Sequence, residues 1–375
     1  MIKVLFCSPY LSSDDVVKGG INTWGRYIME YVATGGQSDV EIIPVSFDRF
    51  VSSSEGKSIF SRVFRGIQAY KRPVKKAISS MKMDAPDVIH LCTSAGIGLM
   101  RDLVLLRKAK RYGIKTVVHF HFGRIPELRE QNNWEWKLIC KVMRLCDTAV
   151  VMNRPSEKTL LASGFTNVKY LPNPLAMNVL KKIKEIRDSY KRVPRRLLYA
   201  GHVIKTKGVY ELVEACSQIP NIELRIVGKC LPDVESDLKT IASKNNDGTW
   251  MNIVGEVDHD MVLAELLQAD MFVFPSYTEG FPNVILEAMA CGCPIVSSDV
   301  GAIPEMLDID GKPCGLCFKP KNVAQVKDSV NYILGDDSVK HMFVNNALAR
   351  LHSEYEIHTV WGKLTSIWNF ENNGN

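Results

Sequence analysis

Residues 275–298 read PSYTEGFPNVILEAMACGCPIVSS, an order of residue types that spells strand end, loop, helix and strand. A strand ends at Pro275, a polar loop carries Glu279 and Gly280, and a helix starts near Pro282 and Asn283. Gly292 closes that helix, as helix C-termini prefer. In an open parallel sheet, ligands bind beyond the carboxyl ends of the strands. The N–H groups at the start of the new helix point there and favour a phosphate. Gly280 lets the backbone come close to a ligand, and Asn283 offers a side-chain donor. Glu279 and Glu287 bracket the turn. Carboxylates beside a phosphate repel it unless they accept hydrogen bonds, and sugar hydroxyls supply such donors.

The same alternation extends outward in both directions. Apolar strand candidates lie at 2–9, 40–45, 87–91, 116–120 and 148–152, with helical stretches at 21–31, 99–111 and 134–145. After Asn173-Pro174-Leu175 comes a basic helical stretch that Pro194 closes, and the alternation restarts. Strands are expected at 196–201, 222–227, 252–255, 271–275 and 295–298, with helices at 210–218 and 261–268. Strand and helix alternating in this way predict the α/β class, with parallel sheets covered on both faces. The simplest organisation is two Rossmann-like, doubly wound domains, 1–172 and 196–355, joined by a basic linker at 173–195. Residues 356–370 read as a helix with Trp361 and Trp368 on one face, expected to pack back on the first domain.

Composition agrees with two globular domains: 375 residues, 46% hydrophobic and 23% charged. The start, MIKVLFCSPY, lacks the basic n-region and long apolar run of a signal peptide. No stretch reaches the ~18 apolar residues that a bilayer span needs, so a cytoplasmic protein is expected. The ten cysteines read as free thiols of a reducing compartment. Cys291/Cys293 and Cys314/Cys317 are closely spaced, but no second pair completes a metal site. Residues 1–172 carry 26 Lys/Arg against 15 Asp/Glu, whereas 197–375 carry 13 against 24. Opposite charge on the two halves implies different partners. Residues 60–82 hold seven Lys/Arg and no acid, among them Arg62, Arg65, Lys71, Arg72, Lys75 and Lys76, interleaved with Phe60, Phe64 and Tyr70. As a basic amphipathic helix this suits an anionic membrane surface or a phosphate-linked lipid, which would place the protein peripherally at the inner face of the plasma membrane. Nothing in the chain reads as a nucleic-acid recognition module.

The 275–298 segment and its continuation through Glu305 resemble the E-x7-E signature of the group 1 (GT4-type) retaining glycosyltransferases. Their fold, GT-B, sets two Rossmann-like domains facing each other across a cleft. Glu279 and Glu287 fall on the two Glu positions, within a donor loop that includes Gly280, Phe281, Pro282 and Asn283. The resemblance extends over nearly the whole chain and implies acceptor binding by the first domain and nucleotide-sugar binding by the second. Gly19-Gly20 sits where the family places a Gly pair facing the donor diphosphate. Residues 198–208, LYAGHVIKTKG, resemble the opening of the second domain, and Lys207 falls on the Lys that neutralises the diphosphate. His202 stands where the family has Arg. In VVHFHFGRIP, His121 fits the family's strand-end His, His119 is its alternate, and Arg124 is a candidate on the acceptor side. Gly228 and Gly255 end two strands that border the nucleotide in the family.

The implied chemistry is transfer with retention, without metal or cofactor. Lys207 would neutralise the leaving diphosphate, Glu279 would hold sugar hydroxyls, Glu287 the ribose, and His121 the donor sugar or attacking hydroxyl. Asp258-His259-Asp260 matches a D-x-D pattern, but it opens a helix, where Asp is a common cap. The expected reaction moves a sugar from a nucleoside diphosphate, UDP-linked, to a glycan or lipid-linked acceptor in surface polysaccharide synthesis (capsule, O-antigen or exopolysaccharide). Two alternatives share the architecture: a nucleotide-sugar 2-epimerase and a non-catalytic partner subunit. A dinucleotide oxidoreductase is disfavoured, because no G-x-G-x-x-G follows the first strand.

Overall fold

Successive side chains of a strand face opposite ways, so a sheet covered on both sides needs apolar residues at every position. The first strand shows this in a computed structural model that describes residues 1–9, 20–35, 39–47, 59–244 and 247–370, the side chains of 59–70 and 309 excepted. Leu5 and Cys7 enter one core with Ile89, Leu91, Val118 and Phe120, whereas Val4 and Phe6 enter another with Val88, Cys92, Val117 and Val150. The chain divides into two compact units, 1–174 with 357–375, and 175–356.

In the first unit six parallel strands lie in the order β2-β1-β3-β4-β5-β6. They are β1 (Ile2–Ser8), β2 (Val40–Ser46), β3 (Val88–Thr93), β4 (Lys115–Phe120), β5 (Thr148–Val151) and β6 (Val168–Tyr170). The helices among the described residues up to 174 are α1 (Gly20–Ala33), α2 (Ile59–Met83), α3 (Gly98–Arg111), α4 (Ile125–Gln131), α5 (Trp134–Met143) and α6 (Arg154–Leu161). Asn133 and Asn153 start α5 and α6 by accepting from backbone N–H groups of the first turn. The order reverses between β1 and β3, a topological switch point.

The second unit opens with α7 (Met177–Ile186), so the basic stretch expected as a linker is a helix of this unit. Its apolar positions explain why: Val179 and Ile183 are buried, leaving the lysines outside. Six parallel strands follow in the order β14-β11-β10-β7-β8-β9. They are β7 (Val193–Ala200), β8 (Glu223–Val227), β9 (Met251–Gly255), β10 (Ala269–Phe274), β11 (Ile295–Ser298) and β14 (Leu316–Phe318). A short antiparallel ribbon, β12 (Asp308–Ile309) and β13 (Lys312–Pro313), stands apart. Numbered within the unit, the six strands have the 3-2-1-4-5-6 order of dinucleotide-binding sheets, with the switch point between β7 and β10. The helices are α8 (Val209–Cys216), α9 (Pro232–Ala242), α10 (His259–Gln268), α11 (Asn283–Ala290), α12 (Ile303–Leu307), α13 (Val323–Leu334) and α14 (Asp337–Arg350).

The last helix, α15 (Ile357–Trp368), returns to the first unit and buries Ile357, Val360, Trp361, Leu364, Ile367 and Trp368 on the face formed by Val4, Phe6 and Val117. Trp361 and Trp368 meet edge to face at 5.5 Å. The Trp368 indole Nε1–H donates to Nδ1 of His90, 3.0 Å away and fully buried. Removing that donor leaves a buried acceptor unpaired, so Trp368→Phe is expected to cost about 1–3 kcal/mol at pH 7. Burial lowers His90 from 6.5 to about 3. Between those values the unfolded chain binds a proton that the folded chain refuses. Stability is therefore complete above pH 6.5 and lost as the pH falls towards 3. Thermal melts from pH 7 to pH 4.5 should show this decline, and a melting temperature that does not move over that range would contradict it.

Candidate functional site

The second unit places Lys207 and Glu279 on the two sides of its switch point. Lys207 follows β7, at the end of a short 3-10 turn (Lys205–Lys207), and Glu279 follows β10. The two loops can touch only because Gly208 has no side chain. Its φ is +71°, and a Cβ there would lie 2.0 Å from the Pro275 carbonyl oxygen. Tyr277 N–H donates to the Thr206 carbonyl at 3.0 Å, and its hydroxyl donates to Glu211 of α8 at 2.6 Å. So held, the Lys207 ammonium donates to Oε1 of Glu279 in a partly buried contact.

The neighbouring strand ends are equally close. A Cβ on Gly228, which follows β8, would lie 1.8 Å from the Gly201 carbonyl oxygen. Gly255 ends β9 with φ +86°. A Cβ on Gly301 would lie 2.2 Å from the Glu279 carbonyl, so the turn after β11 braces the Glu279–Gly280 loop, and Ala302 N–H donates to Gly280 at 3.0 Å. Phe281 is buried edge-on against Tyr355. Pro282 stands at the N-cap of α11, where no side chain caps the helix, and Asn283 begins it. The His202 side chain is exposed, and its carbonyl accepts from the Tyr199 hydroxyl at 2.7 Å.

Glu287, one turn into α11, is buried, and its Oε1 lies 2.9 Å from Nε2 of His259. That pair was not visible in the sequence, where His259 counted only as the middle of Asp258-His259-Asp260. The flanking carboxylates are both engaged: Asp258 caps α10 by accepting from Met261 N–H at 2.8 Å, and Asp260 pairs with Lys182 of α7 at 2.6 Å.

In the first unit His119 is fully buried at the end of β4, and His121 lies just beyond it, half-buried, with ring centroids 3.9 Å apart. Trp24 of α1 packs on both. Burial, reinforced by neighbouring imidazoles, holds both histidines well below the usual value, so both are neutral. Gly20 begins α1, whereas Gly19 lies outside the described residues. The Arg124 guanidinium makes two hydrogen bonds to Glu135, at 2.7 and 2.9 Å, and Glu135 also accepts from Gly96 N–H. Arg124 thus ties the loop after β4 to α5. His90, Cys92 and His119 bring one ligand atom each within 4.8 Å of one another. The indole of Trp368 is a donor only, so the His90 nitrogen facing it must be bare and its Nε2 protonated. A metal on Nε2 would need the opposite tautomer, and a metal on Nδ1 would displace the indole; His90 does not suit a ligand set.

Residues 182–350 match the model of the family described as glycosyl transferases group 1. The matched stretch contains the whole Lys207–Glu279 and His259–Glu287 constellation. Mycobacterium tuberculosis glycogen synthase is 33% identical over 172 residues, which are 44% of this chain and 40% of that protein. The chain thus spans less than half the length of that relative. A putative teichuronic acid biosynthesis glycosyltransferase of Bacillus subtilis, TuaC, is 27% identical over 70% of this chain and 66% of its own. The Anabaena protein HepE, solved in complex with UDP, superposes with a TM-score of 0.72 at 15% identity, over 99% of this chain and 100% of its own. The chain therefore shares the GT-B fold of glycosyltransferases.

The close approaches give a direct test. Gly208→Ala and Gly228→Ala combine a left-handed or near-extended positive φ with overlap on a carbonyl, and each should cost about 2 kcal/mol or more. Gly20→Ala, with nothing among the described residues within 4 Å of its Cβ, should leave the melting temperature unchanged. Equal losses at all three positions would mean that the crossing at the switch point is not what holds the site.

Proposed function

We propose that this chain moves a sugar from a nucleoside diphosphate sugar, UDP-linked, to a glycan or lipid-linked acceptor, with retention at the anomeric carbon and without a metal. The observation that carries this reading is the meeting of Lys207 and Glu279 at the switch point of the second unit. An ammonium beside a carboxylate, at the sheet edge where such folds bind nucleotides, offers one group to a diphosphate and one to sugar hydroxyls. In the free enzyme they neutralise each other. On donor binding Lys207 turns to the phosphate, and Glu279 accepts from the sugar.

During transfer the bond from anomeric carbon to leaving phosphate lengthens, and positive charge grows on the ring. Negative charge grows on the diphosphate, where Lys207 and the N–H groups that begin α11 stabilise it. The acceptor hydroxyl attacks from the same side, and its proton passes to the departing phosphate oxygen. His121, neutral, can accept or donate one hydrogen bond without adding charge. Its assigned role is to position the attacking hydroxyl.

Surface polysaccharide assembly is the setting we favour, supported by TuaC's name and by the basic first unit. No helix among the described residues is long and apolar enough to cross a membrane. Peripheral contact with an anionic membrane is supported by the exposed Lys71, Arg72, Lys75 and Lys76 of α2; the side chains of Arg62 and Arg65 lie outside the described residues. On neighbouring α3 and its N-cap Ile97, the side chains of Ile97, Met100 and Val104 are exposed in a row that continues into Arg107 and Arg111. Cosedimentation should occur with vesicles containing anionic lipid and not with zwitterionic ones. Lys71→Glu with Lys75→Glu should weaken it, and equal binding to both vesicles would refute the electrostatic part.

The donor reading is checked by thermal shift with UDP, ADP and GDP. A nucleotide at 100 times its dissociation constant should stabilise wild type by about 2.7 kcal/mol. Lys207→Ala should lower kcat by about 10²–10³-fold, the range for removing one group that stabilises transition-state charge. Full activity in Lys207→Ala would remove the basis of the proposal.

A further inference from the structure

Glu287 is a buried carboxylate on a helix whose neighbouring positions, Ile285, Leu286, Ala288 and Met289, are all buried and apolar. A carboxylate in such a setting needs hydrogen-bond donors for its oxygens. His259 supplies one through Nε2, 2.9 Å from Oε1, from a side chain that is itself 47% exposed. An ionised carboxylate only accepts, so Nε2 carries the proton in this contact.

The imidazole is not placed there by chance of a loose loop. Its two sequence neighbours are both fastened: Asp258 to the first turn of α10, and Asp260 to Lys182 of α7. His259 is the first residue of the α10 turn that Asp258 caps, and its side chain reaches α11, which packs on α10 and α7. The terminal torsion of a Glu carboxylate is otherwise broad and roughly two-fold. One donor on Oε1 selects an orientation, leaving the remaining lone pairs of both oxygens to a ligand.

We propose that His259 is a positioning residue that presets the Glu287 carboxylate to accept the paired hydroxyls of a ribose, and so sets discrimination between ribonucleotide and deoxyribonucleotide donors. This rests on the nucleotide-sugar reading above and deepens it. A carboxylate held in one orientation gives two acceptors at the spacing that two vicinal hydroxyls present. A freely turning one gives up part of that advantage. The effect falls on the ligand that has both hydroxyls and not on the one that lacks one. His259 itself touches no reacting atom.

The test is titration calorimetry of wild type, His259→Ala, His259→Gln and Glu287→Ala with UDP, ADP and GDP, each beside its 2′-deoxy form. Wild type should bind its preferred ribonucleotide about tenfold tighter than the deoxy form. His259→Ala should bring the ratio to within about twofold with little change in deoxynucleotide affinity, as should Glu287→Ala. His259→Gln, whose side-chain amide keeps a donor, should restore most of the ratio. Ligand-free melting temperatures show whether each variant is folded, and half-exposed His259 makes His259→Ala the informative one. A uniform loss for both nucleotide forms would mean that His259 serves only the packing of α10, and overturns the inference. So would a wild-type ratio in His259→Ala. If wild type binds none of the six nucleotides, the donor-site reading itself falls and this inference with it.

Discussion

The second unit depends on two places where backbone passes over backbone with no room for a methyl group. Gly208 lies against the Pro275 carbonyl, and Gly228 against that of Gly201. These approaches draw the ends of β7, β8 and β10 together at the point where the strand order reverses. Everything chemical in the unit hangs from the loops so gathered. The Lys207 ammonium reaches Glu279 because its loop is pinned by Tyr277 N–H on Thr206. Glu279 is held in turn because the Gly301 turn presses on its backbone from the far side.

Two carboxylates in such a place would repel each other and any phosphate. The structure answers with a specific partner for each: an ammonium on Glu279 and an imidazole on Glu287. The two partners differ in kind. Lys207 carries its ammonium on a long unbranched side chain, whereas His259 carries a short planar ring at the capped first turn of α10. The first pair suits a contact that is given up on binding, and the second a contact that shapes what is bound.

Much of this was legible in the sequence, and the limits follow from distance along the chain. Alternating apolar runs reveal strands and helices because each element writes its own period. The segment from Pro275 to Ser298 carries its own loop chemistry, and Asp258 declares a helix start through its spacing to the residues it caps. Pairing between elements leaves no such trace. His259 and Glu287 are 28 positions apart, and nothing local marks one as the other's partner. Residues 173–195 pointed to a linker because the alternation breaks there between Pro174 and Pro194, whereas the two buried residues that make α7 part of the second unit, Val179 and Ile183, leave no such mark. The turn at Gly123 favoured His121 over His119 in the sequence; the structure separates them by burial, His119 lying fully buried within β4 and His121 half-buried just beyond it. The bond between Trp368 and His90 joins positions 278 apart and was beyond any reading of pattern.

That bond has a bearing on how the molecule is made. One face of the first sheet, with Val4, Phe6 and Val117, is covered in part by Trp24 and Ile28 of α1 and in part by α15, which is encoded after the entire second unit. A ribosome adding roughly 5–20 residues each second spends on the order of 10–40 s between Pro174 and the last helix. During that interval the nascent first unit carries a partly uncovered apolar wall, while the second unit, continuous in the chain, can close as it emerges. Synthesis therefore finishes the later unit first. The earlier one waits for its final helix, and that interval is when a chaperone would be needed.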